Sequence, residues 1–220
     1  MTDWIQRWSE GQIGWHRDSV NTRLIEFVDC LQLSPGDTVF VPLCGKSVDM
    51  RFFMNQGVKV IGIELSALAI KAFFRENQLS YTHQREGEFE VYQAQDITLY
   101  CGDYFALERE HLSQISGVYD RAALVALPLE LRAKYVAHLY SIIPNACRIL
   151  LLTLSYPQQL MSGPPFAVDE SEVQRLYGNG FVYQQLQCFN DIDNEPKFQQ
   201  LGAEYIEKAT YCLHMREKNG

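Results

Sequence analysis

The sequence predicts an α/β protein, a single domain over residues 1–220 built on a doubly wound, mostly parallel sheet with an antiparallel edge strand. Two observations predict it. Residues 38–70, TVFVPLCGKSVDMRFFMNQGVKVIGIELSALAI, run strand, turn, helix twice over, the repeating unit of a parallel sheet. Within them, residues 58–63 are nearly all apolar, as in a strand covered by helices on both faces. A chain of 220 residues suits one compact core, and a second full domain would leave each half small.

Taken in order, the chain begins MTDWIQRWSE, where Trp4 and Trp8 are i and i+4 and share one face of a helix. Residues 20–31 have the pattern of an amphipathic helix, with Leu24, Phe27, Val28 and Leu31 on one side. Residues 1–30 thus form an N-terminal helical segment, and residues 36–220 the α/β core. Ser34-Pro35-Gly36-Asp37 turns the chain into the first strand, which Pro42 ends. Gly45 lies in the next turn, Met50, Phe53 and Met54 recur at helical spacing, and Gly57 closes that helix. Glu64 stands at the tip of the second strand, and Ser66 is placed to cap a helix over 66–77.

Residues 87–99 predict a hairpin, with Phe89 and Val91 alternating with polar neighbours and Gln95-Asp96 at the turn. Residues 97–101, 117–121 and 148–153 follow as strands, the last expected at the centre of the sheet, with a helix over 129–143. A Pro-rich loop, 156–168, precedes Asp169 and Glu172, which have capping-box spacing. Residues 181–189 and 205–215 read as two closing strands.

Composition excludes several function classes. A net charge of −8 and a pI near 5.1 argue against a nucleic-acid partner, because binding phosphates needs a basic face. The longest apolar run, around Ile149 to Leu152, is far short of the roughly 20 residues of a membrane span. The N-terminus carries acids and no apolar core, so export is not expected and the cytoplasm is. The six cysteines show no C-x-x-C pair, and the five histidines no paired ligand spacing. No metal site and no disulfide framework are expected, with most cysteines reduced and buried.

A glycine turn after one strand, and an acid at the tip of the next about 20 residues on, is the arithmetic of a nucleoside-binding crevice. Glu64 would accept from ribose hydroxyls. The turn holds one glycine and not G-x-G-x-x-G, which weighs against a dinucleotide. Asp103, just past the third strand, is placed either to accept from an adenine amino group or simply to form its own turn. Asp120 and Arg121 tip the fourth strand, where crevices open, and as neighbours on a strand they point to opposite faces. A nicotinamide-dependent oxidoreductase and a non-catalytic nucleoside-binding protein both remain compatible with this pattern.

The wording VPLCGKSVDM, GVKVIGIELS, LYCGDYFAL, YDRAALVALP and GPPFAVDESEV, with Trp4, Trp8 and Gly14-Trp15-His16, closely resembles the thiopurine S-methyltransferase family in its bacterial form, over nearly the whole chain. The resemblance implies the Rossmann-like class I methyltransferase fold, with the N-terminal helix as a lid. It implies S-adenosylmethionine as cofactor, held by Trp4, Trp8, Leu43, Gly45, Glu64, Asp103, Tyr104 and Arg121. It implies a small aromatic or heterocyclic thiol as acceptor, lined by Trp15, Asp120, Arg121 and Phe166, and a further role toward selenium or tellurium species. Trp15 stands where relatives carry Phe, and residues 197–202, KFQQLG, lack an arginine found in some of them. No catalytic base is assigned, Cys44 is expected to pack rather than react, and a monomer is expected.

Overall fold

The structure, a computed structural model, describes residues 3–12 and 16–216. Helix α1 (Trp4–Ser9) is capped by Asp3, whose carboxylate accepts from the Gln6 N–H at 2.9 Å. Helix α2 (Thr22–Phe27) is capped by Asn21 and passes at Phe27, φ −119°, into a 3₁₀ turn over Val28–Leu31. The single helix expected over 20–31 is therefore two shorter pieces.

Then come β1 (Thr38–Val41), α3 (Asp49–Asn55), β2 (Lys59–Glu64) and α4 (Ala67–Glu76). The polar hairpin strand β3 (Thr82–Glu86) leads to β4 (Phe89–Ala94), β5 (Ile97–Cys101) and β6 (Gly117–Arg121). The rest is α5 (Leu129–Ile142), β7 (Arg148–Ser155), α6 (Glu170–Tyr177), β8 (Phe181–Asn190), α7 (Pro196–Gln200) and β9 (Glu207–Met215).

The strands form one sheet in the order β3-β4-β5-β2-β1-β6-β7-β9-β8. The five strands from β5 to β7 are mutually parallel. Antiparallel strands are added on both flanks, two on each side, where one edge strand was expected. Strand β7 is interior but not central, a place that belongs to β1. Its apolar run could not distinguish the two, since any strand with helices on both faces reads that way. Strand β3, THQRE, is exposed along its whole length and has no apolar alternation to betray it. It exists because it zips onto β4.

Two apolar layers sandwich the sheet, and alternate residues of each central strand feed them. Val39, Val41, Tyr119, Leu150 and Leu152 join Leu24, Phe53 and Phe73 on one side. Phe40, Val118, Ile149 and Leu151 join Tyr135, Leu139 and Tyr177 on the other. Cys30, in the turn after α2, is disulfide-bonded to Cys212 of β9, 182 residues away. This corrects the expectation that most cysteines are reduced and buried: of the rest, Cys44 and Cys147 are buried, Cys188 is exposed and Cys101 intermediate. Pairing across such a separation leaves no mark in sequence spacing.

Gly62 of β2 shows how tightly the layer under the β1 turn is filled. A Cβ added there would lie 2.6 Å from the Leu99 side chain and 2.8 Å from the Cys44 sulfur. Gly62→Ala is therefore expected to lower stability by about 1–3 kcal/mol, read as a lower urea midpoint at unchanged slope.

Candidate functional site

The carboxyl ends of β1, β2, β6 and β7 open on one cavity of about 670 Å³. Its floor at β1 is the turn that Pro42 starts, where Leu43 (φ 46°) and Gly45 (φ 55°) both take the left-handed conformation. Its roof is α1. Trp4 and Trp8 both line the cavity, so their shared helix face is turned inward. A Cβ on Gly45 would sit 3.2 Å from the Trp8 ring, so the glycine lets the indole lie close over the turn.

Glu64 is the fixed point of the site. It is 6% exposed, and each carboxylate oxygen takes one backbone donor: Gly45 N–H at 2.9 Å and Ser66 N–H at 2.8 Å. Ser66 thus contributes its amide rather than its side chain, whose hydroxyl has no partner among the described residues. Burial pushes the Glu64 carboxyl up, and the backbone donors oppose that shift. Each oxygen keeps a further lone pair for a ligand hydroxyl.

Leu43, Gly45, Asp103, Tyr104 and Arg121 line the same cavity. Asp103 caps a short 3₁₀ turn by accepting from Phe105 N–H at 2.9 Å. Tyr104 is buried, its hydroxyl donating to the Tyr135 carbonyl at 3.2 Å.

Two expected acceptor residues are elsewhere. Asp120 is fully buried, accepting from Tyr135 O–H at 2.7 Å and Leu124 N–H at 3.1 Å. Strand parity explains it: Asp120 shares the face of Val118, toward α5, while Arg121 shares that of Tyr119. Phe166 is not among the residues lining the cavity; Pro164 and Pro165, beside it, are. Trp15 lies outside the described residues.

Several lining residues escaped the sequence reading, among them His16, Arg23, Tyr119, Lys197 and Lys208. Burial, with the Lys46 charge, lowers the His16 pKa, while Asp18 and Glu76 oppose the shift. Tyr119 donates to Asp49 at 2.9 Å, and Asp49 also accepts from Asn21 N–H at 2.8 Å, which ties the start of α2 to the sheet. Cys44 lies in the cavity turn, where burial, with the Glu64 charge, holds its thiol well above its ordinary range. Among the described residues no cluster of His, Cys, Asp and Glu suits a metal ion.

A buried carboxylate beside a glycine turn, a second acid one strand over and a roof of indoles together give a roofed cavity with the donors and acceptors a nucleoside requires. The residues therefore fit an adenosine-bearing cofactor. The glycine-to-indole contact is the clearest sign, because a side chain at Gly45 would fill the space where turn and roof meet.

The family model described as Thiopurine S-methyltransferase (TPMT) matches residues 1–217. A thiopurine S-methyltransferase of Nitrosospira multiformis is 46% identical over 97% of each chain. One of Pseudomonas putida is 43% identical over 96% of this chain and 97% of its own. Among solved structures, a SAM-dependent methyltransferase from Thiobacillus denitrificans in complex with S-adenosyl-L-homocysteine has a TM-score of 0.64. It is 13% identical, with 98% of this chain and 99% of that one covered, a likeness of fold.

Burial pushes the Asp120 carboxyl up to about 6 from an ordinary 3.8. The folded chain then binds that proton more tightly than the unfolded one, so stability falls as pH rises from about 4 to 6 and levels off above. Asp120→Asn should remove this slope. Between pH 4.5 and 7.5 wild type should lose about 2 kcal/mol relative to the variant in urea unfolding.

Proposed function

This chain belongs to the thiopurine S-methyltransferase family, and from that premise we propose that it methylates the sulfur of small aromatic or heterocyclic thiols, thiopurines among them, using S-adenosylmethionine. The observation that carries the reading is Glu64, a buried carboxylate held by Gly45 and Ser66 at the edge of a roofed cavity. Such a group is costly to bury and is retained where a ligand needs a fixed acceptor.

In this reading Glu64 holds the ribose hydroxyls, and the left-handed turn at Leu43 and Gly45 lets backbone approach the aminoacyl end. Asp103 and Tyr104 serve the adenine, and Arg121 stands between the aminoacyl end and the acceptor. Trp4 and Trp8 close the roof and present aromatic faces to a cationic sulfonium, worth about 1–2 kcal/mol when water is excluded. Held by these residues, S-adenosylmethionine would supply an electrophilic methyl group for transfer to the acceptor sulfur, with S-adenosylhomocysteine as the other product.

The chain's own task is alignment and exclusion of water, and proximity of this kind accounts for about 7–11 kcal/mol of a barrier. A thiol acidic enough to ionise in water needs no dedicated base. The reading extends to selenium and tellurium species, and includes a monomeric, cytoplasmic enzyme that does not act on nucleic acid. The acidic net charge supports the last of these. No helix among the described residues is long and apolar enough to cross a membrane. The turn after β1, with its single glycine, weighs against a nicotinamide dinucleotide.

Incubation with 6-mercaptopurine and labelled S-adenosylmethionine should yield labelled methylthiopurine. Tight binding of S-adenosylhomocysteine with no methylated product from any thiol would leave a binding protein, and binding of NAD(P) in its place would reinstate the oxidoreductase. Glu64→Ala should weaken S-adenosylhomocysteine binding by about 2 kcal/mol in calorimetry, with the circular dichroism of the fold retained. Unchanged affinity would remove the ribose assignment.

A further inference from the structure

The cavity's charge runs against that of the molecule. The chain carries 27 acidic and 19 basic side chains, yet seven lysines and arginines and only three carboxylates line this one cavity. Several of the cations are already matched. Lys46 is held by Glu76 at 2.8 Å, Lys208 by Asp191 and Glu195, and Arg17 reaches Glu195 at 3.7 Å. Arg7, Arg23 and Lys197 differ: among the described residues, none of them has a carboxylate within ion-pair distance, and Arg7 lies over the Trp4 ring at the roof.

Arg23 is anchored without being neutralised. Helix α2 delivers it to the tips of β7 and β9, where Nη1 donates to the Ala209 carbonyl at 2.8 Å and, more weakly, to that of Thr153 at 3.4 Å. These two residues are register partners across the strand pair, so the guanidinium is docked on rigid sheet. The two bonds occupy one nitrogen of a group with five N–H donors. Burial and the charge of Arg121 lower the Arg23 pKa, with Tyr119 and Asp191 acting the other way. Asp191 is itself committed to Lys208 and to Asn194 at 2.6 Å. A poorly solvated cation beside a second cation, with donors to spare, is relieved by an anion that a planar fork can grip.

Position says which part of a ligand meets it. The strand tips run β2, β1, β6, β7, β9, with neighbours about 4.8 Å apart. Glu64 tips β2, and Arg23 stands over β7 and β9, roughly 15 Å along that row. It is thus remote from the ribose carboxylate, and Arg121, on β6, lies between.

We propose that Arg23 is a specificity-determining residue of the acceptor end, its guanidinium taking a carboxylate, or a group of the same charge, that the acceptor thiol carries away from its sulfur. The inference rests on the thiol-methylation reading and names the acceptor class within it: thiols that are anionic apart from the thiolate. Lys197 adds field to the same end, while the fork and its anchoring belong to Arg23.

The test compares 3- and 4-mercaptobenzoate with the matching mercaptobenzamides, which keep the ring and the thiol and differ in charge. Wild type should show a kcat/KM about tenfold or more higher for at least one carboxylate than for its amide, as expected of a charge-assisted hydrogen bond. Arg23→Gln should bring that ratio close to one, and Arg23→Lys should restore part of it. S-adenosylhomocysteine affinity, read by calorimetry on each variant, reports on the fold and the far end of the cavity. Equal efficiency of carboxylate and amide in wild type overturns the inference while leaving thiol methylation standing. So does a ratio that survives Arg23→Gln. No product from any of the thiols overturns the thiol-methylation reading first, and this inference with it.

Discussion

The grip of the Glu64 carboxylate on two backbone amides is the constraint on which the site depends. One amide belongs to Gly45, in the turn after β1, and the other to Ser66, at the start of α4. The side chain therefore locks two turns of adjacent parallel strands to one another across the crevice. Once they are locked, the left-handed turn at Leu43 and Gly45 has a single shape, and Trp8 can settle against it. Each carboxylate oxygen has its backbone donor, which explains how so polar a group is tolerated at 6% exposure.

A second constraint is the parity of the central strands. Every one of them is covered on both faces, so each residue must serve one layer or the other. Asp120 and Arg121 are consecutive, yet one ends in a dry tyrosine-lined niche and the other on the cavity wall. The buried carboxylate organises α5 through Tyr135, whose backbone carbonyl in turn receives Tyr104. An acid expected to meet ligand instead braces the wall behind it.

Much of this was legible in the chain. The β1-α3-β2 unit, the Glu64 tip, the shared face of Trp4 and Trp8 and the parallel core follow from apolar runs, glycine turns and spacing, while the inward turn of that face was implied only by the family resemblance. What was not legible has common physical causes. Periodicity separates the faces of a strand without saying which face is the crevice, so Asp120 could not be told from Arg121. A polar edge strand such as β3 owes its existence to its partner and not to its own pattern. The Cys30–Cys212 bond and the arrival of Arg23, Lys197 and Lys208 at one cavity are products of long-range closure, joining positions nearly a chain length apart.

That closure divides labour along the polypeptide. In the proposed reading residues 43–104 furnish the floor and wall of the nucleoside half and α1 its roof, whereas the opposite half is assembled from α2, just after α1, and from α7 and β9 near the other terminus. Change confined to α2, α7 and β9 can therefore retune which molecules are accepted while α1 and the stretch from 43 to 104 stay as they are. A scaffold laid out this way can broaden its repertoire without ever relearning its chemistry.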